Sequence, residues 1–198
     1  INEIKKINHN NFYLSGTMVG AGQVYFDAGQ SIETFDEKKL IENIETIKTF
    51  DFQGTTKCPG LVHKDIWNKV GGWSEEFSPT GGDDTDFAMK LWQNNIRIFK
   101  GLGKCLTYHF GSITTRKKDK SLFTYLGSRG NKIFLKKWGL TINFFEKFYL
   151  RSGLDKNKRL IFNKFSGPLN DPKKNLNYYI NLFKCKIVML YLLLIKFK

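Results

Sequence analysis

Up to about residue 110 the chain alternates short apolar runs with segments whose apolar residues fall three and four apart; after residue 120 it does not. "FYLSGTMV" (Phe12 to Val19) reads as a strand, and "GQVYFDAG" (Gly22 to Gly29), alternating and bounded by glycines, as a second. Asp36 to Thr49 places Leu40, Ile41, Ile44 and Ile47 at helical spacing behind an acidic first turn. "PGLVHK" is a strand pattern, and Asp65 to Val70 a short helix stopped by Gly71-Gly72. Thr85 to Asn94 reads as a helix, and "IRIFKG" and "KCLTYHF" as two further short strands. This alternation predicts an α/β fold, and 198 residues suffice for one domain with a sizeable core.

Beyond residue 120 the segments "SLFTYLGSRGNKIFLKKWG" and "TINFFEKFYLRSG" read as aromatic-rich helices with lysines on the other face. "SGPLNDP" (Ser166 to Pro172) reads as a linker, and Tyr178 to Lys198 as a basic, strongly apolar helix. The longest uninterrupted apolar run, Ile187 to Ile195, has nine residues, whereas a membrane span needs about 20. Lying in a membrane interface, with Lys184, Lys186, Lys196 and Lys198 at headgroup level, is one expectation; packing on the domain is the other. The charge is lopsided. Residues 1–99 carry 10 Lys and Arg against 14 Asp and Glu, a net of −4; residues 100–198 carry 22 against 4, a net of +18. An anionic partner for the second half, or simply solvated lysine faces, would account for this. Cys58, Cys105 and Cys185 form no Cys-x-x-Cys, so a zinc ribbon is not expected, and sparse thiols suggest a reducing compartment.

"SPTGGDDTDFAMKLWQ" (Ser78 to Gln93) sets three aspartates into four positions after two glycines. A polymerase Gly-Asp-Asp lies between two strands, whereas this one opens an amphipathic helix. A metal-gripping Asp84-x-Asp86 is also disfavoured, since helical residues two apart point about 200° from each other. Helical spacing places Asp84 above Ala88 and Leu91, on the expected buried stripe, and Asp86 above Lys90 as an expected solvent-side pair. Asp83 sits where the helix dipole favours an anion. Gly81 and Gly82 permit a sharp turn and close approach of a substrate. One helix cap needs one acid, and three exceed that need.

The longer segment "KDIWNKVGGWSEEFSPTGGDDTDFAMKLWQNNIRIFKG" resembles family 2 glycosyltransferases of the GT-A fold. In that family a "vGGfdE.F" segment leads to a glycine, an acidic pair, an amphipathic helix and a strand. Here these are Val70-Gly71-Gly72-Trp73-Ser74-Glu75, then Gly82-Asp83-Asp84-Thr85-Asp86-Phe87; the family's usual Glu-Asp is here Asp83-Asp84. "LTYHFGSITTRK" (Leu106 to Lys117) resembles the segment closing the family's donor site, and "FYLSGTMV" the strand after its metal-binding Asp-x-Asp.

The resemblance implies a Rossmann-like mixed sheet and an inverting glycosyltransferase with Asp84 as general base beside Asp83. It implies a divalent metal, Mn²⁺ or Mg²⁺, held in part by His109. Ser112, Thr114 and Arg116 become candidate donor-phosphate contacts, and Gly81, Gly82 and Trp73 line the substrate side, with Trp73 equally suited to a core. The implied partners are a nucleotide-sugar donor and a glycan or lipid-linked acceptor, with no nucleic acid. The sparse thiols and the basic apolar tail add a cytoplasmic location as the expectation, either free or in peripheral contact with the cytoplasmic face of a membrane. The expected division is a partial GT-A unit over 1–116, a helical extension over 117–165, and a linker with a basic apolar helix over 166–198. The family's nucleotide-binding half precedes such a segment, so a truncated chain is expected. The alternatives are a non-enzymatic basic module that binds nucleic acid or membrane, and an inactive transferase fragment.

Overall fold

A computed structural model describes residues 2–56, 59–78, 81–111, 129–154 and 160–195. The strands are β1 (Phe12–Gly20), β2 (Phe52–Gln53), β3 (Gly60–Leu61), β4 (Ile98–His109), β5 (Ser152–Leu154) and β6 (Leu160–Phe162). The helices are α1 (Asn2–Ile7), α2 (Glu37–Asn43), α3 (Lys64–Val70), α4 (Asp83–Gln93), α5 (Arg129–Trp138), α6 (Ile142–Phe145) and α7 (Leu176–Ile195). Strands β1 to β4 form one mixed sheet in the order β2-β4-β1-β3, and β5 and β6 form an antiparallel pair. The class is therefore mixed α/β, as the alternation predicts.

The centre of the sheet is the parallel pair β1–β4. All nine residues of β1 are buried, as expected for a parallel strand covered on both faces. On one face Tyr13 and Phe99 pack with Phe87, Leu91 and Trp92 of α4. On the other, Phe12, Leu14 and Ile98 meet Ile4, Ile7 and Phe165. Alternation along β1 sends successive side chains to opposite faces, so α1 and α4 sandwich the pair. Phe134 of α5, Phe145 of α6, Leu150 and Leu169 complete the α4 cluster. The segment after residue 128 thus shares its core with the sheet.

Several local expectations change once packing acts. The run Gly22 to Gly29 is not a second strand. It makes one bridge, Val24 to Val19, and then hangs on the Tyr108 hydroxyl, which accepts from the Ala28 amide and donates to the Gly29 carbonyl. Its alternation is real, but among the described residues its strand-like pairing ends with that one bridge to β1. Helix α2 is capped by Asp36, whose side chain accepts from the Lys39 amide. It passes into a 3-10 turn at Ile44–Thr46 instead of running to Thr49. None of its residues is buried, so no packing extends it. "IRIFKG" and "KCLTYHF" belong to one strand, β4, whose register against β1 shifts between Gly16/Leu102 and Thr17/Leu106. The bulge of Gly103 to Cys105 explains why the sequence reads as two runs. "SGPLNDP" is docked: the Leu169 amide donates to the Arg97 carbonyl at 2.8 Å, and the Leu169 side chain is buried. Helix α6 continues into a π-helical turn over Glu146–Leu150. Helix α1, strand β2 and the β5–β6 pair give no strong period in the sequence.

Candidate functional site

Helix α4 begins at Gly82, which takes φ 112° and supplies no capping side chain. A β-carbon there would come within 3.3 Å of the Phe77 ring, besides suffering the backbone strain of positive φ. A glycine therefore stands where a capping Ser or Asp would ordinarily be. Gly81 is exposed. Asp83 and Asp84 occupy the first two helical positions, and both are half-buried. Acids in this turn complement the partial positive charge of the helix N-terminus.

Asp86 corrects the sequence expectation. It does share a face with Lys90, whose Nζ lies 3.9 Å from Oδ2, but that face is not toward solvent: Asp86 is fully buried. Trp138 Nε1 donates to Oδ1 at 2.7 Å, and Ser74 Oγ donates to Oδ2 at 2.6 Å. Lys137 Nζ lies 3.0 Å from Oδ1 and also donates to Glu76 Oε1 at 2.7 Å. Lys90 itself donates to the Gly72 carbonyl at 2.9 Å. Burial disfavours the charge on Lys137, but the bonds to Glu76 and Asp86 outweigh it and its pKa is raised. At Lys90 burial prevails over the attraction of Asp86, with repulsion from Lys137 adding to it, and the pKa is lowered. One buried carboxylate thus ties α4 to α5 and to the Ser74–Phe77 turn. Two of its partners, Lys137 and Trp138, lie some 50 residues away in "KKWG", where spacing within α4 cannot register them. The acid that points into the body of the protein is therefore Asp86; Asp84 sits at the half-buried start of the same helix.

Trp73 is half-buried, its ring 4.8 Å from that of Phe87 and 6.1 Å from that of Trp67. It serves the core through one side and leaves part of its surface accessible. The turn before it depends on Gly71, which ends α3 at φ 74° in the left-handed region.

His109 ends β4, paired with Gly20 at the end of β1. Its Nδ1 lies 2.9 Å from the Ala21 carbonyl oxygen. A carbonyl only accepts, so Nδ1 carries the proton, and in the neutral ring Nε2 keeps its lone pair. A backbone carbonyl orienting the far nitrogen is the usual support for a ligating imidazole. The donor chemistry at His109 therefore fits a divalent ion. Among the described residues, however, no group of three or more His, Cys, Asp and Glu side chains is placed to hold a metal. His109 would be one ligand of such an ion.

The structure thus gathers Gly81, Gly82, Asp83 and Asp84 at one helix end, with Trp73 packed on the same helix. It gives no described contact between these and His109. Ser112, Thr114 and Arg116 lie outside the described residues. No protein-family model, curated protein or solved structure matches the chain.

Proposed function

We propose that the chain carries the acceptor side of an inverting glycosyltransferase of the GT-A fold. The carrying observation is the placement of an acidic pair: Asp83 and Asp84 lie half-buried at the first turn of α4, next to a glycine with no side chain to obstruct an approaching substrate, and the buried network around Asp86 fixes that helix. The Gly-Gly-Trp and Gly-Asp-Asp segments in their family-like order, and a parallel strand pair with a helix on each face, support the same reading.

In this mechanism the acceptor hydroxyl oxygen attacks the anomeric carbon as its proton passes to the Asp84 carboxylate. The bond from that carbon to the diphosphate oxygen breaks, and the nucleotide diphosphate leaves with the electron pair. Asp83 stands beside Asp84 at the same helix turn. Trp73 offers an aromatic face to the apolar side of a sugar. A bound Mn²⁺ or Mg²⁺ would stabilise charge on the departing diphosphate, and His109 would hold it through Nε2.

The test uses the longest product of the gene that contains these 198 residues. It is supplied with Mn²⁺, a panel of nucleotide sugars, and glycan and lipid-linked acceptors. Release of nucleoside diphosphate matched by a product of inverted anomeric configuration is expected. A retained configuration, or no turnover of any donor, would overturn the proposal.

A further inference from the structure

Helix α7 has two apolar faces, and among the described residues only one of them is covered. Tyr178, Leu182, Cys185, Met189 and Leu192 face Leu135, Leu140, Phe144, Phe148 and Tyr149. Their spacing of four, three, four and three keeps them on one stripe. Leu176, Ile180, Phe183, Ile187, Leu190 and Leu194 repeat the same spacing on the opposite side, and all are exposed; Leu176 and Phe183 keep 76% and 66% of their surface open. A helix of 20 residues is about 30 Å long, so the outer stripe is a continuous apolar strip of that length. Single exposed leucines are ordinary, but a strip of this extent marks a docking surface.

The charge around the strip selects the occupant. Lys184 and Lys186 are exposed and project to either side of it, and Lys173 and Lys174 stand exposed just before the helix. No acidic residue follows Asp171. A second copy laid on this face would bring lysine toward lysine with no carboxylate on either helix to answer it. An anionic bilayer surface answers both features: the strip enters the acyl boundary while the lysine stems reach back to the headgroups. Among the described residues no helix is long and apolar enough to cross a membrane, so the helix would lie flat. We infer that the outer face of α7 is a membrane-docking surface for anionic lipid, while the inner face keeps the helix fastened to the domain.

The experiment uses the full chain and sedimentation with phosphatidylcholine vesicles, with and without phosphatidylglycerol. Binding to the anionic vesicles is expected, at least about 10-fold above the neutral ones and weakened by salt. Phe183→Ser with Ile187→Ser should reduce it by about 100-fold or more, with the thermal transition unchanged because both residues are exposed. Lys184→Gln with Lys186→Gln should cost roughly 30-fold on anionic vesicles and little on neutral ones. Ile187→Trp should add an emission component, absent from the parent protein, that shifts to the blue on anionic vesicles. No vesicle binding, binding that survives the Ser pair, or a self-association that the Ser pair abolishes would each overturn the inference; the last would make a second copy the occupant. None of these readouts requires sugar transfer.

Discussion

Helix α4 opens with three aspartates and buries seven of its eleven residues; helix α7 carries no acid and leaves most of its apolar residues in the open. The two helices show what decides burial. At α4, donors from elsewhere in the chain converge on one carboxylate, so a charged face can be closed over. At α7, nothing among the described residues converges on the outer stripe, and hydrophobicity alone does not bury it. Local character sets what a face needs, while the rest of the fold sets whether it receives it.

The largest effect expected within this contrast separates function from stability at the start of α4. Asp84→Asn keeps the shape but cannot take a proton, so transfer by the gene's full product should fall about 10²- to 10⁴-fold. Its thermal midpoint should stay within a degree or two of the parent protein. Near-normal turnover would remove Asp84 from the mechanism. Next is Asp86→Ala, which removes the acceptor of the Trp138 indole N–H and one of the two carboxylates bound to Lys137. A loss of about 3–5 kcal/mol in urea unfolding is expected. A loss below about 1 kcal/mol would mean that the network does not fasten α4.

The two faces of α7 provide a smaller test. Tyr178 is buried against the rings of Phe144 and Phe148, so Tyr178→Ala should cost about 3 kcal/mol. Phe183→Ala, one and a half turns away on the outer stripe, should change stability by no more than about 0.5 kcal/mol. Equal costs in denaturant titrations would show that the outer stripe is covered in solution. The smallest effect concerns a charge cluster nearer the surface. Lys100, inside β4, holds Glu3 at 2.6 Å and Asp51 at 2.8 Å. Its bonds to Lys100 and Lys6 bring Glu3 down to a pKa of about 2. Because the folded value lies below the ordinary 4.5, the stability from this group is complete above about pH 4.5 and is lost as pH falls toward 2. Solvent screening should hold it to about 1 kcal/mol. Glu3→Gln should remove that part of the acid-side slope in unfolding measured from pH 6 to pH 2; an unaltered slope would exclude Glu3 as its source.

Much of the framework was legible in the sequence because period and punctuation carry it. Strand β1, helices α3 and α4, the glycine stop at Gly71 and the long α7 all follow from apolar spacing and breakers. What was not legible depends on partners distant in the chain. The face of α4 that holds Asp86 looks polar in sequence and is buried only because Lys137 and Trp138 arrive over it. The run after Gly22 alternates like a strand, yet only Val24 pairs with β1, and Phe26, Ala28 and Gly29 bond to a tyrosine hydroxyl. The same limit applies to the candidate site. Asp83 and Asp84 could be found from spacing, and Trp73 from its place after Gly-Gly. The orientation of His109 by the Ala21 carbonyl required the fold.

The bulge in β4 bears on how such chains can be compared and changed. Leu102 faces Gly16 and Leu106 faces Thr17, so one step along β1 corresponds to four along β4. The inward and outward phases of the two halves of β4 are therefore set independently. A residue-by-residue alignment to a strand without this detour would slip by three positions and assign the end of the strand to the wrong side chain. By the same arithmetic, length gained or lost between Gly103 and Cys105 could be absorbed there. The tip bearing His109 could then be re-aimed across generations of sequence change while the buried half, from Ile98 to Leu102, stays in register.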